Sequence, residues 1–154
     1  MILLFFGQPC SGKTTLAKEV YRSIQSDKKI HIDGDEFRAI TGNKGYDRKS
    51  RLDNLKSAFD MALFLESKGY TVILSFVTPY IESRFYLKDR SPKTMFFYLE
   101  YDKSEKRGRE SYHLPDFELP TVTERFSSHF TPIDTSLKSE IESVMQICFL
   151  LKSL

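Results

Sequence analysis

The stretch Gly7-Gln8-Pro9-Cys10-Ser11-Gly12-Lys13-Thr14 constrains this chain more than any other. It follows an apolar run, Ile2 to Phe6, and leads into a helical pattern with Leu16, Ala17, Val20 and Ile24 on one side. The local order is therefore strand, glycine loop, helix. Such a loop aims successive backbone N–H groups and the positive end of a helix at one point, where a polyphosphate sits with its charge largely neutralised. Gly7 and Gly12 allow backbone angles and close approach that a Cβ would obstruct. Lys13 is placed to reach the β- and γ-phosphates, and the Thr14 hydroxyl to join the coordination shell of Mg²⁺. Gly7, Cys10, Ser11, Gly12, Lys13, Thr14 and Thr15 are thus the expected nucleotide-binding set. A glycine-rich turn matching by accident is the competing reading. It has to fix the pattern G-x-x-x-x-G-K-T and also find a strand and a helix on the correct sides.

With 154 residues, 40% apolar and 29% charged, the chain has the composition of a globular protein and is long enough for one domain, 1–154, with its own core. Disordered and collagen-like classes are excluded. The formal charge is only +2, with basic and acidic residues interleaved, so no global field argues for a nucleic acid or a membrane surface. Met1 to Phe6 lacks the basic region and cleavage site of a secretion signal and is too short for a membrane span, so it is expected to be the first strand. Cys10 lies in the phosphate loop and Cys148 in a C-terminal helical pattern. No disulfide framework is implied, and a reducing cytoplasm is the expected compartment.

Further along, Ile30 to Asp33 reads as a short strand that ends in Gly34-Asp35. Apolar runs alternating with helical patterns predict a parallel sheet, and such sheets collect ligands at the carboxyl ends of their strands. Asp33 and Asp35 fall at that edge. A carboxylate there suits metal or proton work, while Asp35 followed by Glu36 also fits a helix N-cap. After a glycine loop carrying Tyr46, a helix is predicted over 48–68, closed by Gly69, with Leu52, Leu55, Phe59, Ala62 and Leu63 as its buried stripe. Arg51 and Asn54 lie beside each other on one flank, an arrangement that reads anions and hydroxyls or simply faces solvent. Residues 70–76 predict a buried strand that brings Ser75 near its carboxyl end, with Thr78-Pro79 as cap and first residue of the next helix. A further strand is expected at 94–101. Residues 102–130 are the least regular and read as a lid or binding loop, with Lys106, Arg107 and Arg109 either clamping phosphates or facing solvent. His113 and His129 lack metal-ligand spacing. A short strand over 132–136 and a packing helix with Ile141, Val144, Met145, Cys148 and Leu151 inward complete the chain.

Taken together, these stretches resemble adenylylsulfate kinase. Asp33-Gly34-Asp35-Glu36-Phe37-Arg38 is similar to the family's D-G-D-N-V-R, and Gly45-Tyr46-Asp47-Arg48 with Arg51 and Asn54 to its G-F-S-R-x-x-R-x-x-N. Ser75-Phe76-Val77-Thr78-Pro79-Tyr80 with Arg84 resembles S-x-I-S-P-Y-R and its trailing arginine, and Ile133-Asp134-Thr135 follows in the same order. Gln8-Pro9-Cys10 stands where L-S-G is common, and the family's K-G-L-Y lid has no counterpart within 103–117.

The resemblance implies a three-layer α/β P-loop kinase fold with a mostly parallel sheet flanked by helices. It implies transfer of the ATP γ-phosphate to the 3′-hydroxyl of adenosine 5′-phosphosulfate, with ATP and Mg²⁺ as cofactors and a small anionic acceptor as partner. Asp35 then acts on the accepting hydroxyl and, through water, on Mg²⁺ held by Thr14. Ser75 lies beside the transferring phosphate, where a phosphoserine intermediate is not required. Arg38, Arg51 and Asn54 hold the phosphosulfate, Tyr46 stacks on the acceptor's adenine, and Asp33 and Phe76 complete the acceptor set. A homodimer is among the assemblies the resemblance admits. Two other readings stand beside it: a related kinase with another anionic nucleotide-linked, sugar or nucleic-acid acceptor, and an inactive nucleotide-binding module, which has less need of both Lys13 and Asp35.

Overall fold

The apolar run at the start of the chain forms β1 (Ile2–Phe6), all five residues of which are buried, and it becomes the middle of a sheet. The computed structural model describes residues 1–100 and 114–152. After β1 come α1 (Lys13–Ser23), β2 (Lys29–Asp33), α2 (Gly34–Thr41), α3 (Arg48–Ser67), β3 (Thr71–Ser75), α4 (Ile81–Arg90), β4 (Met95–Glu100), α5 (Val122–Arg125), β5 (Phe130–Asp134) and α6 (Glu140–Lys152). Among the described residues the five strands pair in the order β2-β3-β1-β4-β5, every pair parallel. This is the expected α/β sheet with helices on both faces. No helix among the described residues is long and apolar enough to cross a membrane.

Strand alternation divides the core in two. Ile2, Leu4 and Phe6 join Val72, Leu74, Leu55, Phe59 and Ala62 on the face covered by α3. Leu3 and Phe5 join Ile73, Phe97, Leu16, Val20 and Ile147 on the face covered by α1 and α6. Phe5 and Phe97 stack with ring centroids 4.9 Å apart, so truncating either leaves a cavity in the sheet's centre at a cost of about 3–5 kcal/mol. This packing holds the carboxyl ends of β1, β2 and β3 side by side, in the registers Phe5 to Ser75 and Asp33 to Ser75.

Three expectations are corrected and one open alternative is decided. The helix after β3 begins at Ile81, not at Pro79; Tyr80 is its cap residue, and Glu118 Oε2 accepts from the Ile81 N–H at 2.7 Å in place of a local cap. Thr78 instead adopts a φ of 45°, in the left-handed region that a β-branched residue rarely enters. The last strand spans Phe130–Asp134, so Pro132 lies inside it, which an edge strand tolerates. On α6 the buried residues are Ser143 and Ile147, whereas Ile141 and Met145 are 72% and 66% exposed. Finally, Asp33, not Asp35, caps α2. Within the segment expected to be irregular, α5 forms behind a capping box of Thr121 and Glu124. Lys106, Arg107, Arg109 and His113 lie outside the described residues.

Candidate active site

The phosphate loop turns between β1 and α1 on three positive-φ residues: Gly7 at 149°, Cys10 at 64° and Gly12 at 91°. At Gly7 a Cβ would come within 2.7 Å of the Leu99 carbonyl oxygen on β4, so only glycine lets the loop leave the sheet here. Lys13 is buried, and its Nζ donates to the Gln8 carbonyl oxygen at 2.6 Å. Burial lowers the Lys13 pKa to about 8, against the opposing pull of Cys10, Asp35 and Asp33. The loop thus presents a desolvated ammonium and a helix N-terminus to one side of a cavity of about 860 Å³.

Thr14, one residue further, donates its hydroxyl to Asp33 Oδ2 at 2.7 Å. Ser75 Oγ donates to the same oxygen at 2.7 Å. Asp33 Oδ1 accepts the backbone N–H groups of Asp35 and Glu36, the capping bonds of α2. Burial raises the Asp33 pKa, but these four donors outweigh it and hold the carboxyl below its usual range. With the Thr14 proton committed to Asp33, the lone pairs of Thr14 Oγ1 remain for a hard, oxygen-seeking cation at the cavity wall. That donor set fits Mg²⁺.

Across the cavity, α2 and α3 supply the cationic wall. Arg38 Nη1 donates to the carbonyl oxygens of Gly45 and Asn43, at 2.6 and 3.3 Å, and Arg51 Nε to that of Tyr46 at 2.6 Å. Both guanidinium carbons approach the Tyr46 ring, at 4.9 and 5.6 Å from its centroid, and the ring itself is 67% exposed. Neither arginine has a carboxylate partner among the described residues, since Asp47 accepts from Ser50 and Asp53 pairs with Lys49. Asn54 is buried one turn on, with no hydrogen-bond partner for its Oδ1 among the described residues. Phe76 packs edge-on against Phe37 and Phe59 and closes the floor.

The structure therefore brings Cys10, Gly12, Lys13, Thr14 and Thr15 of the loop to one cavity with Asp33, Asp35 and Ser75 at the strand ends. Arg38, Tyr46, Arg51, Asn54 and Phe76 line the same space. Gly7 and Ser11 stand behind the loop surface; Ser11 is fully buried. Sequence reasoning missed two contributors, His31 and Gln8, and gave no role to a third, Arg84. His31 Nε2 lies 2.9 Å from Ser75 Oγ, and its place two residues before Asp33 on one strand was the available signal. Gln8 clamps the backbone of Leu114 with its side-chain amide, donating at 3.2 Å and accepting at 3.0 Å. Arg84 is buried against Glu124 at 2.6 Å and donates to the Thr78 carbonyl oxygen, bracing the cavity wall at the strained residue.

Residues 1–111 match the family model described as adenylylsulphate kinase. A cytidine diphosphoramidate kinase of Campylobacter jejuni is 32% identical over 111 residues, a match that covers 71% of this chain and 65% of that protein. A probable adenylyl-sulfate kinase of Aeropyrum pernix is 34% identical over 87 residues, covering 54% of this chain and 48% of its own length. The chain thus spans less than two thirds of either relative. In three dimensions it superimposes on the Mycobacterium tuberculosis APS kinase CysC, solved in complex with AMPPNP and APS, with a TM-score of 0.76 at 18% identity, covering 98% of this chain and 96% of that one. A gluconokinase from Sinorhizobium meliloti superimposes with a TM-score of 0.67 at 15% identity, covering 98% and 93% of the two chains. These two likenesses establish the fold.

Proposed function

The chain belongs to the adenylylsulphate kinase family of P-loop kinases, and from that premise we propose that it transfers the γ-phosphate of ATP to a hydroxyl of an anionic, nucleotide-linked acceptor, adenosine 5′-phosphosulfate first among them. The observation that carries this reading is the pairing of the phosphate loop with two guanidiniums, Arg38 and Arg51, that have no carboxylate partner among the described residues and line one cavity with it. A planar guanidinium matches phosphate or sulfate oxygens in a bidentate way that an ammonium does not.

In this account Gly12, Lys13 and Thr15 hold the donor polyphosphate, and Tyr46, Asn54 and Phe76 receive the acceptor. Thr14, and Asp35 through water, would hold Mg²⁺, which would neutralise charge on the phosphates. Asp35 is exposed at the cavity wall, and its carboxylate has no hydrogen-bond partner among the described residues, so it is open to the accepting hydroxyl. As the acceptor oxygen bonds to the γ-phosphorus and the bond to the β-phosphate oxygen breaks, the hydroxyl proton passes to Asp35.

A second acceptor, cytidine diphosphoramidate, is favoured by the 32% identity to the Campylobacter jejuni kinase named for it. Incubation with ATP carrying a labelled γ-phosphate and each acceptor in turn, with the product identified by mass, tests the reading. Acceptor-dependent label transfer supports it, and nucleotide binding without transfer to any anionic acceptor favours the inactive module.

A further inference from the structure

His31 and Asp33 are two residues apart on β2 and so share one face of the sheet, where Ser75 of β3 is the register partner of Asp33. The hydrogen bonds among them have only one consistent direction. An ionised carboxylate accepts and never donates, and each hydroxyl has a single proton. Ser75 and Thr14 both give theirs to Asp33 Oδ2, at 2.7 Å each, while Oδ1 is occupied by the capping N–H groups. Ser75 Oγ is then left only to accept, so the His31 nitrogen at 2.9 Å, Nε2, must carry a proton. Burial lowers the His31 pKa, against the opposing carboxylates of Asp33 and Glu36, which favours a neutral ring, and the hydrogen bond to Ser75 then places its one proton on Nε2. His31 does not line the cavity, and among the described residues its side-chain hydrogen bond to the site is the one to Ser75.

We propose that His31 is a positioning residue for the metal-bound nucleotide, a role that rests on the kinase reading above. By donating to Ser75 Oγ it fixes the serine rotor, so that Ser75 gives its proton to Asp33 and not to a phosphate. Asp33 Oδ2 keeps both hydroxyl donors, and the Thr14 oxygen keeps its lone pairs toward the cavity. Without the Nε2–H the Ser75 hydroxyl turns freely, competes as a donor to the phosphates, and leaves the carboxylate that orients Thr14 one partner short. Partners of this indirect kind typically change metal affinity or activity by about 10- to 100-fold.

Binding of ADP to the intact chain, measured by calorimetry with Mg²⁺ and again with a chelator, tests this without any acceptor. His31→Leu is expected to weaken ADP binding about tenfold with Mg²⁺ and not to weaken it in chelator. His31→Gln, whose amide donates at similar reach, is expected to recover most of the loss. In a Ser75→Ala background His31→Gln and His31→Leu are expected to bind MgADP alike, because the link they act through is gone; if His31→Leu does not fold, His31→Gln matching Ser75→Ala in both conditions contradicts the role. Equal loss with and without Mg²⁺, or no rescue by glutamine, overturns the proposal while leaving the kinase reading in place. A parent chain that binds no ADP in either condition overturns the kinase reading, and the His31 role with it.

Discussion

Lys13 Nζ donates to the main-chain oxygen of Gln8 at 2.6 Å, so the lysine of the phosphate loop is folded back onto its own loop. Its pKa, lowered to about 8 from 10.5 by desolvation, lies below that of the unfolded chain. Between these two values the unfolded state binds more protons, so the ligand-free protein gains stability from this group as pH rises from about 8 toward 10.5. A bound polyphosphate restores the ammonium's preference for its charged form. ADP binding at pH 9 is therefore expected to take up protons, and binding at pH 6.5 is not. Calorimetry in buffers of different ionisation enthalpy measures this. Equal uptake by the parent and Lys13→Ala would contradict the assignment.

Asp33 and Asp35 are separated in role by the capping bonds. Asp33→Ala removes a helix cap and is expected to cost about 0.5–2 kcal/mol of stability in a denaturant titration. Asp35 accepts no capping bond, so Asp35→Asn is expected to keep the parental midpoint and lose about 10²- to 10⁴-fold in turnover. A destabilised Asp35→Asn chain with parental turnover would reverse the two roles.

The Arg84–Glu124 pair is 1% and 7% exposed, with Nε and Oε1 2.6 Å apart. Glu124→Ala strands a buried guanidinium, with an expected cost of about 3–5 kcal/mol. Replacing both partners by apolar residues of similar volume, Arg84→Met with Glu124→Leu, is expected to recover most of that loss in chemical unfolding. An additive double variant would show that the two side chains do not depend on each other.

What was legible in the sequence follows the range of the forces involved. The strand, glycine loop and helix were plain because the loop's residue types are fixed by local backbone geometry, as at Gly7 and Gly12. The cavity residues Arg51 and Asn54 were found because α3 has enough turns for its stripe to define a flank. On α6 the apolar residues surround the helix, so periodicity picked a set that contains Val144 and Leu151, which pack inward, and Ile141 and Met145, which are exposed, and it passed over the buried Ile147. The start of α4 was misplaced because Thr78-Pro79 mimics a cap, whereas the Ile81 N–H is capped by Glu118, 37 positions on, and Thr78 is held by Arg84 of α4 itself. Contacts such as Gln8 to Leu114 or Arg84 to Glu124 join residues 106 and 40 positions apart and leave no local pattern.

The arginine wall separates anion recognition from ion pairing. If Arg51 reads an acceptor anion, Arg51→Lys is expected to lower kcat/KM for the acceptor by an amount corresponding to about 2–5 kcal/mol while ADP affinity stays near parental. An exposed ion pair would contribute only about 0–1 kcal/mol. Parental acceptor kinetics in Arg51→Lys would remove the residue from the site.

Transfer of a phosphate from ATP to a hydroxyl of an anionic nucleotide-linked compound is the activity proposed for this chain. The most direct measurement is the mass of the product formed from MgATP with adenosine 5′-phosphosulfate or cytidine diphosphoramidate. A gain of one phosphate on one of these acceptors, abolished in Lys13→Ala and Asp35→Asn, is the expected result. ATP bound at the loop with neither acceptor phosphorylated would contradict it.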